Sequence, residues 1–145
     1  MRYPVRPIPF AAALILAPLL PAMPALPIQV WGHSAPAGLM IVGAFGMGAL
    51  VFGIWSYATI GAVAFWWALR RRSALPAAVV GLLTHIVSLP AVFAVGVALG
   101  IVQMPDRAGF MAFYACFGVV FSLLWGGLFG LLYRAFSRNI RRTPA

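Results

Sequence analysis

The chain has 145 residues, of which 64% are hydrophobic and 8% charged, with a mean hydropathy of +1.04. Soluble domains lie nearer half apolar and a quarter charged, so a single domain of this length (1–145) cannot bury its apolar surface in a core of its own, and a bilayer is the expected solvent. The net charge of +9 comes from ten Arg, no Lys and one acid, Asp106; every Arg except Arg107 flanks a hydrophobic segment, which argues against nucleic acid as the partner of this charge.

The first expected crossing covers residues 8–28. Its stretch "PIPFAAALILAPLLPAMPALPIQV" (7 to 30) is apolar but holds Pro7, Pro9, Pro18, Pro21, Pro24 and Pro27. Each proline inside a helix removes a hydrogen bond and crowds the preceding turn. A kinked crossing is the leading expectation. A re-entrant or surface-lying segment and a signal peptide, with "PAMPA" as a poor cleavage site, are the alternatives.

The second crossing, 39–69, lies in an apolar run from 37 to 69. As helix this run is about 50 Å long, against about 30 Å of hydrocarbon. It must tilt, bend at "GAFGMG" (43 to 48), or stand partly above the membrane. Trp66 and Trp67 followed by Arg70, Arg71 and Arg72 read as an aromatic belt and a cytoplasmic anchor. Helical spacing gathers Gly46, Ala49, Gly53, Tyr57, Ile60 and Ala64 on a small-residue face opposite Phe52, Trp55, Thr59 and Trp66.

The third crossing, 77–102, places Gly81, His85, Ser88, Val92, Gly96, Leu99 and Gln103 in one narrow arc. Leu83, Ile86, Pro90, Phe93, Val97 and Ile101 lie opposite and suit lipid. Gly96 and Gly100 have the four-residue spacing of a helix-packing pair. The short connection "QMPDRAG" makes this segment an antiparallel neighbour of the fourth, 110–133. There Gly118, Ser122, Gly126 and Gly130 recur at every fourth position. Lipid does not drive helices together, so small residues at such spacing are expected where backbones approach closely.

The tail, 134–145, is basic, with Arg134, Arg138, Arg141 and Arg142. With the 70–72 cluster it is expected to meet anionic lipid headgroups or an acidic partner surface. Four crossings with a cytoplasmic N-terminus place nine Arg on one side, as the positive-inside bias requires. The expected fold is therefore an all-α, multi-pass bundle of about four transmembrane helices with both termini cytoplasmic. The Arg, Ala, Gly and Pro bias suits a GC-rich bacterial genome, and so a bacterial inner membrane.

The chemistry on offer is sparse. No Asp, Glu, Lys or Arg lies in the core of any expected crossing. Proton pumps and ion-coupled transporters usually keep ionisable groups there. Paired carboxylates, a Ser-His-Asp set, a phosphate-binding loop and a metal-spaced cluster are all missing, so catalysis is not expected. Cys116 is the sole cysteine and reads as a small buried hydrophobe.

His85, in "GLLTHIVSLP", stands out because it falls about 14 Å into its helix, near mid-membrane. A neutral imidazole there needs a hydrogen-bond partner on a neighbouring helix or a metal. The alternative is axial ligation of a haem iron or a chlorophyll-type magnesium, with Gly81 and Ser88 leaving room for a flat ring. Thr84 and Ser88 are expected to bond carbonyls one turn back. If Tyr57 met His85 across the small faces, the two would form a minimal binding pocket.

The leading functional expectation is a small accessory or scaffold subunit, or a homo-oligomeric component, of a larger membrane complex. It rests on abundant close-packing surface and no catalytic set. The alternatives are a cofactor- or pigment-binding module built on His85, and an oligomeric channel, holin-like pore or small-solute permease.

Overall fold

The computed structural model describes residues 4–25, 36–71, 75–100 and 107–139, and these are nearly all helix, with no strand among them. Helix α1, Pro7–Ala22, begins with proline in its first turn, where a missing N–H costs nothing because first-turn donors have no intrahelical acceptor. It runs through Pro18 and Pro21 and tightens into a single 3-10 turn at Met23–Ala25. Helix α2, Ala37–Ser56, leads without a break into a π-helical turn, Tyr57–Gly61, and then into α3, Ala62–Arg71. Helices α4, Ala77–Ala98, and α5, Arg107–Asn139, complete the order.

Three of these helical segments are long and apolar enough to cross a membrane: Pro7–Ala25, Ala77–Ala98 and Met111–Arg138. The bent pair Ala37–Val51 and Gly53–Arg71 makes a fourth if it counts as one span.

Two expectations about these helices need correction. The long second run does bend, with its Ala37–Val51 and Gly53–Arg71 parts 48° apart, while 43–48 itself is regular α-helix. Glycine lowers helix propensity by only about 1 kcal/mol and does not by itself break a helix. The third helix stops at Ala98 instead of 102, because Gly100 takes φ +69° and its N–H bonds the Val97 carbonyl. That left-handed position after the last turn closes a helix and is open mainly to glycine. The fourth helix runs beyond the 110–133 crossing and carries on into the basic tail as far as Asn139.

The π turn changes which side of the second run is buried. Tyr57, Gly61 and Phe65 face inward, and Phe65 is 1% exposed. Ile60, expected inside, is 38% exposed, and Ala64 is only half-buried. In a regular helix each four-residue step drifts by about 40°, which would bring 60 and 64 inward instead. The wider π turn absorbs that drift, so the inward register moves by one residue. Trp66 consequently packs edge-on against Phe10 at 5.0 Å, whereas Trp67 stays outside with the Arg71 guanidinium 4.4 Å above its ring.

Two deletions of exposed alanines check this register shift. Removing Ala58 turns the π turn into a regular one and keeps Gly61 and Phe65 inward. Removing Ala44 from the regular stretch instead swings the flanking faces by about 100° relative to each other. The Ala58 deletion is expected to lower the unfolding temperature much less than the Ala44 deletion, as read by circular dichroism in detergent.

Helix α5 is the axis of the assembly. Arg6 at the head of α1 donates its backbone N–H to the Tyr133 hydroxyl (3.3 Å) and its Nη1–H to the Ser137 carbonyl (2.9 Å). Phe10 meets Phe129 edge-on at 5.4 Å, so α1 runs antiparallel to α5. Helix α4 also runs antiparallel to α5, with Ala77 beside Gly130 and His85 beside Gly118. The second run crosses α1 with Gly46 against the backbone of Pro21 and Ala22. An aromatic core of Phe10, Tyr57, Phe65, Trp125 and Phe129 fills the middle, its tightest pair being Phe65 stacked on Phe129 at 4.3 Å. These contacts put Arg6, Arg70, Arg71, Arg134 and Arg138 at one end of the bundle.

Candidate functional site

Helices α4 and α5 approach closely along their backbones. A Cβ added to Gly81 would stand 2.5 Å from the Ser122 carbonyl oxygen. One added to Gly126 would stand 2.5 Å from the Ala77 carbonyl oxygen and 2.9 Å from Ala78 Cα. Gly130 faces Ala77 Cβ at 2.9 Å in the same sense. One turn further along, the His85 ring fills the notch left by Gly118. The four-residue series in the last helix is thus spent on a neighbour within the same chain.

Beside that contact lies a partly open cavity of about 50 Å³. It lies between α2, its π turn, α4 and α5. Tyr57, Gly53, Gly81, Thr84, His85, Gly118 and Ser122 all line it, so residues picked from three separate stretches of sequence do converge. Thr84 and Ser88 use their hydroxyls locally, on the Val80 and His85 carbonyls (both 2.8 Å). Ser122 bonds Val119 O at 3.0 Å, and Ser56 bonds Gly53 O at 3.0 Å. The His85 Nε2–H donates to the Ala115 carbonyl across the helix interface at 3.3 Å, and the ring lies 5.3 Å from that of Tyr114.

Two lining groups differ from these. The Tyr57 hydroxyl and the Trp125 indole Nε1–H are fully buried, on residues 6% and 3% exposed, and neither has a hydrogen-bond partner. The rings meet edge-on at 5.3 Å. A buried donor with nothing to bond costs about 1–3 kcal/mol. Tyr57→Phe is therefore expected to leave the empty protein as stable as before or more stable by up to about 2 kcal/mol, measured by denaturant unfolding in micelles.

Trp125, like Phe113, Tyr114, Phe117 and Phe121, is a site residue that the sequence pattern left out. Its signal lay in "SLLWGG": it is three residues after Ser122 and so shares the small-residue face. The converse also holds. Of the polar patch around Trp55, Ser56, Tyr57 and Thr59, Trp55 is 75% exposed and Thr59 turns outward to bond the Trp55 carbonyl at 2.6 Å, so only Ser56 and Tyr57 face the cavity.

The remaining candidates are dispersed. Gly96 is buried on α4, away from the cavity lining. Gly100 is not a packing position: it is exposed in the turn, with open space where its Cβ would be. Leu99, placed on the inward arc by spacing, is 68% exposed because the helix has already ended. Arg70, Arg71, Arg134 and Arg138 stand at the basic end. Arg72, Arg141, Arg142 and Gln103 lie outside the described residues. Cys116 is exposed rather than buried, since it falls on the outer side of α5.

Axial ligation by His85 does not suit this geometry. Its Nε2 is turned to the Ala115 carbonyl, its ring is wedged against Gly118, and the adjoining space is far smaller than a tetrapyrrole. Among the described residues no three His, Cys, Asp or Glu side chains converge on a common point. The fold and site together define a helical bundle with membrane-spanning candidates around a small, mostly apolar cavity, two of whose lining residues carry unpaired donors. No protein-family model, curated protein or solved structure matches the chain.

Proposed function

We propose that this chain is a small multi-pass protein of a bacterial cytoplasmic membrane, with both termini on the cytoplasmic side, whose bundle binds a small neutral ligand in its interior. The observation that carries the reading is the pair of buried, unpartnered donors, Tyr57 Oη–H and Trp125 Nε1–H, on residues that line one cavity. Native interiors rarely leave such groups unpaired, and where they do, a bound water, ion or ligand is the usual reason. The orientation is supported by the gathering of Arg6, Arg70, Arg71, Arg134 and Arg138 at one end, since cytoplasmic ends collect arginine. That end would also meet anionic lipid, each Arg contributing about 1 kcal/mol near the surface.

The role as accessory subunit of a larger assembly stands second. The stripe that suggested it is engaged within the chain, but an outward-facing aromatic row, Phe45 stacked on Phe117 at 5.3 Å and Phe117 on Phe113 at 5.0 Å, offers a partner a surface.

Native mass spectrometry of the full chain, extracted with its surrounding lipid, separates the two. The expected result is a particle carrying an organic molecule that is lost from the Tyr57→Phe, Trp125→Phe double variant. Identical spectra for both proteins would overturn the binding reading, and other polypeptides in fixed ratio would move the accessory reading to first place.

A further inference from the structure

The size and surroundings of the cavity say what kind of molecule the two donors await. Resting on the binding reading above, we infer that the ligand is a neutral amphiphile with a carbonyl-type head and an apolar tail that lies in the groove beside Phe45 and Phe117.

Charge limits the choice first. The cavity lining holds no acid to attract a cation and no Lys or Arg to hold an anion. His85 is committed through Nε2–H to a backbone carbonyl. What is unsatisfied is donor capacity, from the indole N–H, which can only donate, and from the phenol. The complementary group is a neutral oxygen acceptor. A carbonyl oxygen has two lone pairs and can take both bonds at once.

Size limits it further. At about 50 Å³ the cavity accepts a head of a few heavy atoms, or about three to five waters at 10–15 Å³ each. A whole lipid or large ring does not enter.

A second space adjoins the cavity. An open, almost wholly apolar groove of about 300 Å³ lies alongside, lined by Ala44, Phe45, Gly48, Phe113 and Phe117. Phe113 and Phe117 belong to the walls of both spaces. Phe117 also stacks on Phe45 from α2, so the two helices that flank the groove meet through these rings. A head seated on Tyr57 and Trp125 therefore directs its tail past Phe117 into the groove, which a hydrocarbon chain fills and a water cluster does not use.

Gly48 allows the tail to be tested apart from the head. Nothing stands within 4 Å of where its Cβ would be, so Gly48→Leu fills the groove while leaving the cavity walls in place. The full chain, labelled with fluorotryptophan and held in neutral detergent micelles, is titrated with three probes and followed by fluorine NMR. The Trp125 resonance is identified by its loss in Trp125→Phe. Butanone is a head without a tail, methyl nonyl ketone has both, and undecane is a tail without a head.

The expected result is a saturable shift of the Trp125 resonance with both ketones and none with undecane. Methyl nonyl ketone should half-saturate at a mole fraction about threefold or more below butanone, through the added tail contacts. Tyr57→Phe should weaken both ketones about tenfold, the loss of one hydrogen bond in a dry site. Gly48→Leu should weaken only the long ketone. No saturable shift with either ketone would overturn the binding reading and this inference with it, leaving a cavity that holds water alone. Butanone binding with no advantage for the longer ketone and no effect of Gly48→Leu would overturn the amphiphile and the seat of its tail in the groove but leave the cavity reading standing. An equal response to undecane would overturn recognition of the carbonyl.

Discussion

Gly126→Leu is expected to destabilise the protein by more than about 3 kcal/mol, the upper part of the range for overpacking. The usual relief, a neighbouring side chain swinging aside, is closed here. A Cβ at Gly126 meets the Ala77 carbonyl oxygen at 2.5 Å and Ala78 Cα at 2.9 Å, both backbone atoms at the first turn of α4. The only way to admit the larger residue is to push α4 away from α5. That motion separates Gly81 from the Ser122 carbonyl and opens the cavity, so the loss should extend well beyond one site. In lipid the separated faces gain nothing from water, and the lost interaction is mostly dispersion between closely apposed backbones.

The neighbouring residue supplies the control. Gly127 has nothing within 4 Å of its Cβ position, and Gly127→Ala should be neutral or stabilise by about 0.5–1 kcal/mol through helix propensity. Unfolding by graded addition of SDS to mixed micelles, followed by tryptophan emission, reads both. A Gly126→Leu protein within a few tenths of a kcal/mol of wild type would show that the α4–α5 contact is not close in the membrane.

His85 and Gly118 should be coupled with compensating sign. The imidazole occupies the place a side chain at 118 would take. Gly118→Ala must therefore expel the ring and break its bond to the Ala115 carbonyl. The expected cost is about 2–4 kcal/mol, from overpacking and a lost hydrogen bond together. His85→Ala on its own leaves a void beside a glycine and should also destabilise, as core truncations do. In the double variant the two alanines fill part of the same space. Gly118→Ala should then cost little, and the cycle should close with a coupling of more than about 1 kcal/mol. Simple addition of the two single costs would mean that His85 does not rest on α5. The outcome also bears on what His85 is for, because a ring held by a glycine notch and a carbonyl is a packing and positioning element of the cavity wall rather than a ligand waiting for a metal.

What could be read early and what could not divides along physical lines. Segments that cross from one side of the bundle to the other announce themselves by length and hydropathy, which are sums over many residues and tolerate local error. Among the described residues the expected segments 39–69, 77–102 and 110–133 overlap observed helices, the second of them as far as Ala98, and the Pro-rich start is also helical through Ala25. Sites where two elements meet depend on phase, and phase is lost wherever the helical period changes. "YATIG" contains no proline and only a terminal glycine, so nothing in it marks a π turn. The shift from Ile60 and Ala64 to Gly61 and Phe65 follows from that one turn. Gly100 failed for a related reason. Spacing alone treats a glycine in a stripe and a glycine that caps a helix alike, although one is chosen for the absence of a Cβ and the other for its φ.

By itself, then, the sequence determined the helical class, the apolar segments, the clustering of arginine at segment ends and the small-residue face of the last helix, because each is a property of composition or of a regular period along one element. Only the tertiary structure decided that this face is engaged by α4 rather than left for a partner, that Tyr57 and Trp125 stand together as unpaired donors, and that a groove adjoins them. Those facts are relations between elements distant in the chain, set by how backbones approach and where a turn widens, and no single segment carries them.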